Sequence, residues 1–141
     1  MPSWAKRVRE VVEPLNDAEL DWVRTNVAAA RTAQKEAGLS QDDELSAEAL
    51  DVLWARLSDE LEDPNEAINL VGLAFGQLLV ERFGLEWVVL SDKHGTEIAV
   101  RGPSNFTVFP TNFVAKRYES GDTGFLAPFA EEVGKRLQRL S

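Results

Sequence analysis

The stretch "DPNEAINLVGLAFGQLLVERFG", Asp63 to Gly84, constrains the fold of this chain more than any other. Asp63 is an N-cap acid. Pro64 falls at the first helical position, where its missing N–H is not needed, and Glu66 stands at the third, where an acid favours the helix start. Gly84 marks the stop. Between these ends, Ile68, Leu70, Val71, Leu73, Phe75, Leu78, Leu79 and Val80 go nearly all the way round the helix. A helix that is apolar on most sides must be covered on most sides. Its longest apolar run, Leu70 to Gly76, is far shorter than the ~18 residues that span a bilayer. The cover is therefore protein, and the helix is expected at the centre of a core with no membrane segment.

After Gly84 the period changes from helical to strand-like: "LEWVVLS", "TEIAVR" and "FTVF" are rich in β-branched and aromatic residues. They predict a three-stranded antiparallel meander. Upstream, Ser3, Trp4, Val8, Val11, Val12 and Leu15 make an amphipathic stripe that predicts a short first helix, stopped by the proline of "EPLN". Asn16 and Glu19 form a capping box for a second helix running to Gly38, with Ala28 to Ala30 as its packing surface. Ser46 caps a third, whose stripe is Leu50, Leu53, Trp54, Leu57 and Leu61. Past Pro110, "TNFVAKRYESG" predicts a short helix ended by Gly121. A last amphipathic helix follows, with Leu126, Phe129, Ala130, Val133, Leu137 and Leu140 on one side. The fold class expected is α+β: N-terminal helices and a buried central helix packed on the meander, then a short helix and a C-terminal amphipathic one. All 141 residues fit one domain, with 1–62 as its N-terminal helical part and 63–141 as the remainder.

Charge and composition remove several classes of function. A net charge of −9 is repelled by phosphate backbones and anionic lipid, so neither nucleic acid nor membrane is an expected partner. The chain has no cysteine, hence no disulfide and no thiolate nucleophile or ligand, in keeping with a reducing cytoplasm. Its N-terminus interleaves charged and apolar residues, unlike a secretory signal. A lone histidine, His94, cannot supply the imidazoles of a zinc or iron site. It also lies in Asp92-Lys93-His94-Gly95, where Asp at the first position and Gly at the fourth match a type I turn. With no nucleophile elbow and no phosphate-binding glycine loop, no cofactor is expected and no catalytic residue is assigned. Glu86 and Glu97 are the acids inside the predicted strands, and a carboxylate pair is the one chemistry left open.

Two sets of residues are candidates for binding. In the first, the hairpin register decides the site. With a Gly bulge in the turn, Asp92 pairs with Thr96, Val88 with Val100 and Leu90 with Ile98. Trp87, Glu97 and Arg101 then share the other, mixed face, with Trp87 opposite Arg101 for a cation–π contact. If all four turn residues form the loop, Ser91 pairs with Thr96, Glu86 pairs with Arg101, and Trp87 joins Val89, Ile98 and Val100. The first register is preferred because it gathers four branched aliphatics. The second set is the stripe Asn65, Asn69, Gly72 and Gly76 on the central helix, which is either a polar groove or a place where another element lies close.

The run from "GLAFGQLLVERFGLEWVVLSDKHGTEIAV" through "VFPTNFVAKR" resembles a bacterial family, domain of unknown function 3806. The likeness lies in the G-x-x-x-G helix, the "LEWV" strand, the D-x-x-G turn, the "VFP" edge and the "VAKR" helix, and covers roughly residues 60 to 140. It implies an α+β fold and no assigned activity. The function expected is a non-catalytic cytoplasmic binding or interaction module. In its more specific form this is an immunity-type protein whose acidic surface neutralises a basic toxin. The partner would be a protein, basic if charge selects it, or a second copy in a homodimer. The alternative is a small enzyme using a carboxylate pair.

Overall fold

A computed structural model describes residues 10–140 of the chain. Among them are a four-stranded antiparallel sheet and five α-helices, an α+β arrangement. In chain order these are β1 (Val11–Glu13), α1 (Asp17–Glu36), α2 (Ala47–Glu60), α3 (Pro64–Phe83), β2 (Glu86–Asp92) and β3 (Gly95–Arg101). A 3₁₀ turn (Pro103–Asn105), β4 (Thr107–Val108), α4 (Pro110–Ser120) and α5 (Leu126–Leu140) follow. Strand order in the sheet is β1-β2-β3-β4.

The helix starts follow from their caps. Asn16 Oδ1 accepts from Glu19 N–H and Glu19 answers to the Asn16 N–H, both at 2.8 Å, a closed capping box. Ser46 Oγ accepts from Ala49 N–H, and Asp63 from Asn65 N–H ahead of Pro64. Helix α3 is the hub expected from its apolar girth. It packs against α1, α2, α4, α5 and β3, and Val71, Leu73, Ala74, Phe75 and Leu79 are wholly buried. No helix among the described residues is long and apolar enough to cross a membrane.

The expected first helix is corrected. Residues 1–9 lie outside the described residues, and Val11–Glu13, at its predicted C-terminal end, form β1 on the open edge of β2. The meander is therefore a four-stranded sheet. Helical spacing of Val8, Val11, Val12 and Leu15 described a local preference, but the backbone N–H and C=O groups of β2's free edge offer a ladder that a lone helical turn cannot match. On α1 only Ala30 of the Ala28–Ala30 run is buried, so the packing surface there is narrower than predicted.

Two ties run between distant elements. The Asp51 carboxylate on α2 accepts from the backbone N–H of Leu126 at 2.8 Å and of Ala127 at 3.0 Å, so a side chain from another helix caps α5. Gln34 on α1 is fully buried and satisfied, donating to the Glu44 carbonyl and accepting from Ser46 N–H. It anchors the acidic 40–46 loop to α1.

Candidate functional site

The hairpin takes the second of the two registers. Ser91 pairs with Thr96, Leu90 with Glu97, Val89 with Ile98, Trp87 with Val100 and Glu86 with Arg101. The turn is held by Asp92 Oδ1, which accepts from His94 N–H at 2.7 Å, and by Gly95, whose φ of 133° suits glycine alone. His94 is an exposed turn residue.

This register places Trp87, Val89, Ile98 and Val100 against the helices and Val88, Leu90 and Ala99 on the opposite face with Phe109. Trp87 and Arg101 are thus on different faces, and the cation–π pair expected of the bulged register is absent. Trp87 lies over α3, where its Nε1–H donates to Gln77 Oε1 at 2.9 Å. Gln77 donates in turn to Glu81, which also accepts from Arg31 of α1, so the indole is fixed in a chain of bonds across three elements. Arg101 Nη2 donates to Glu10 at 2.7 Å, and its buried Nε has no acceptor among the described residues.

The α3 stripe is likewise packing surface at its glycines. A Cβ on Gly72 would stand 2.8 Å from Thr111 Cα, and one on Gly76 would stand 2.3 Å from Trp87 Cη2 and 2.9 Å from Pro110 Cγ. The start of α4 and the Trp87 ring fill the space that a groove over Gly72 and Gly76 would need. Asn69 is half-buried and Asn65 exposed.

Glu97 and Arg101 remain on one sheet face with Glu86. Glu97 pairs with Leu90 and Glu86 with Arg101, so four residues of strand separate the two acids, about 13 Å at ~3.3 Å per residue. That exceeds the ~5–9.5 Å over which paired carboxylates share a glycosidic bond. Burial raises the Glu97 pKa, and the ammonium of Lys116 partly opposes the shift. No group of three or more His, Cys, Asp or Glu among the described residues could hold a metal ion.

The feature that did not stand out from the sequence is a groove where β4, α4 and α5 meet. Phe106 and Phe109 flank β4, Phe113 comes from α4 and Phe129 from α5. Together they wall a shallow volume of about 210 Å³ whose polar members are Thr107, Asn112, Lys116 and Arg136. Phe113 and Phe129 stack with ring centroids 4.2 Å apart, and Phe113 and Phe129 also meet the buried Phe75 at 6.2 and 6.1 Å. The walls are therefore fixed by the core. No carboxylate among the described residues lines the groove. Arg136 holds Glu132 through Nε at 3.1 Å, leaving its terminal amino groups for another acceptor, and Lys116 has no ion pair among the described residues.

A larger recess, about 430 Å³, lies between the 40–48 segment and the end of α3. Three of its four acids are engaged: Asp42 accepts from Ser40 and Glu44 N–H, Glu48 from Ser46, and Glu81 from Arg31 and Gln77. The aromatic groove differs in combining fixed apolar walls with two cations on a chain of net charge −9.

Residues 48–128 match the family model described as Domain of unknown function (DUF3806). The match starts within α2, further toward the N-terminus than the likeness read from the sequence, and spans every element from there to the beginning of α5. No curated protein and no solved structure matches the chain.

Proposed function

The chain belongs to the family defined by the domain of unknown function DUF3806, and we propose that it acts as a non-catalytic binding module whose ligand sits in the groove between β4, α4 and α5. The observation that carries this reading is the groove's composition. Among the described residues, four phenylalanine rings and two basic side chains line one surface recess and no acid does, although acids outnumber bases 24 to 15 in the chain. Solvation alone would scatter the charges of an acidic protein around such a recess. Apolar walls with a few convergent polar groups are the usual make-up of a binding site. A carboxylate-pair enzyme has less support, because Glu86 and Glu97 are separated along the sheet and Glu10, which shares a recess with Glu97, is bonded to Arg101.

The reading is tested by amide-shift mapping of a set of ring-sized neutral, cationic and anionic compounds on the labelled protein. Shifts gathered at residues 106–116 and 129–136, and reduced by Phe106→Ala, support it. Compounds that bind only elsewhere, or that are chemically converted by the protein, refute it.

A further inference from the structure

We propose that the groove takes a small carboxylic acid carrying one aromatic ring, with the ring against the phenylalanines and the carboxylate held by Lys116 and Arg136. The inference rests on the groove being the binding site and adds the class of ligand.

Size sets the first limit. A cavity of ~150 Å³ accommodates a benzene molecule, so about 210 Å³ holds one ring and a short acid arm. The walls set the second. Phe106, Phe109, Phe113 and Phe129 make the lining aromatic and favour a flat apolar body, while a sugar or a polyol would leave its hydroxyls short of partners there.

Charge sets the third. Lys116 projects from α4 and Arg136 from α5, so cations reach the same recess from two separate elements. Lys116 is exposed and without an ion pair among the described residues, and Arg136 uses only Nε on Glu132. Three ammonium donors and the free end of a guanidinium fork suit one carboxylate. The nearby Glu97, whose pKa is raised by its burial, lines a neighbouring recess with Phe109 as their shared member and not this one. Glu97, whose pKa the Lys116 ammonium lowers in part, and Glu132, bonded to Arg136 Nε, therefore flank the groove without lining it.

The test compares 3-phenylpropionate with 3-phenylpropan-1-ol and 3-phenylpropylammonium, which keep the ring and change only the charge, by titration into the labelled full chain. The acid is expected to shift amides in 106–116 and 129–136 and to bind at least ~10-fold more tightly than the alcohol, with the difference shrinking in high salt. In the Lys116→Gln/Arg136→Gln double variant, whose replaced side chains are exposed and whose fold is checked by its unshifted remote amides, that preference should vanish. Equal affinity for acid and alcohol, a preference that survives in the double variant, or acid shifts located elsewhere would overturn the proposal. If the alcohol or the ammonium compound alone occupies the groove, the ligand class fails and the binding-module reading stands. If none of the three compounds moves the groove amides, both fail.

Discussion

Replacing Gly76 with alanine tests the central packing of the fold. In an ordinary helix interior Gly→Ala stabilises by ~1 kcal/mol. Here the added Cβ would fall 2.3 Å from Trp87 Cη2, 2.8 Å from Cζ2 and 2.9 Å from Pro110 Cγ. Carbon atoms pack at ~3.5–4.0 Å, so the indole would have to retreat by roughly 1 Å. It is not free to do so, because its Nε1–H is bonded to Gln77 and the ring packs on the main core. Overpacking of this kind costs ~1–3 kcal/mol and a lost hydrogen bond ~1 kcal/mol more. After the gain in helix propensity, Gly76→Ala should destabilise by about 1–3 kcal/mol. Urea unfolding should report a lower midpoint at unchanged slope. Trp87→Phe removes the clashing Cη2 and Cζ2, so in that background Gly76→Ala should cost at least ~1 kcal/mol less, a coupling read directly from the double-mutant cycle. Gly72→Ala is the control: its Cβ meets the Thr111 backbone, and Trp87→Phe should not relieve it. A Gly76→Ala protein as stable as the parent, or a cost unchanged by Trp87→Phe, would refute the packing argument.

Three further outcomes are expected. Asp51→Ala leaves the first N–H groups of α5 uncapped and should lower stability by ~1–2 kcal/mol, with faster hydrogen exchange at Leu126 and Ala127; Asp51→Asn, which keeps one acceptor, should cost less. Gln34→Leu should cost ~2–4 kcal/mol, since it leaves the Glu44 carbonyl and Ser46 N–H without their partner, and protease should then cut within residues 40–46 more readily than in the parent. Glu97 has a folded-state pKa above the ordinary 4.5, so the folded chain binds its proton more tightly than the unfolded chain. Its penalty is therefore full above the raised pKa and fades as pH falls toward 4.5. Glu97→Gln should be more stable than the parent at pH 7 and equal to it below the ordinary value; a stability gap independent of pH would show that charge burial is not the cause.

Local chemistry accounts for what could be read without the structure. The starts of α1, α2 and α3 at Asn16, Ser46 and Asp63 are set by side chains that bond N–H groups two or three residues away. The burial of α3 follows from apolar residues on every side, and the strand run after Gly84 from β-branched residues with turn chemistry at Asp92 and Gly95. The groove was half legible. Phe109, Asn112, Phe113 and Lys116 stand at i, i+3, i+4 and i+7, one face of a helix entered at Phe109, and Phe129 and Arg136 are two turns apart on another. Nothing local says that these two faces meet.

Tertiary structure decided the rest, for one physical reason: the energies concerned belong to contacts between distant segments. Val11–Glu13 have a helical pattern and become a strand because the free edge of β2 can satisfy their backbone. The bulged hairpin register would gather four branched aliphatics on one face, and local pairing therefore favoured it. The structure prefers the register that sends Trp87 onto α3, where Gly76 makes room and Gln77 takes its N–H, leaving Arg101 to Glu10 on the far side. The sequence by itself determined the elements from α1 onward, the caps of α1, α2 and α3, and the buried helix. Which face of the sheet met that helix, and which aromatic rings and cations came together at the β4, α4 and α5 junction, were settled only when the elements packed.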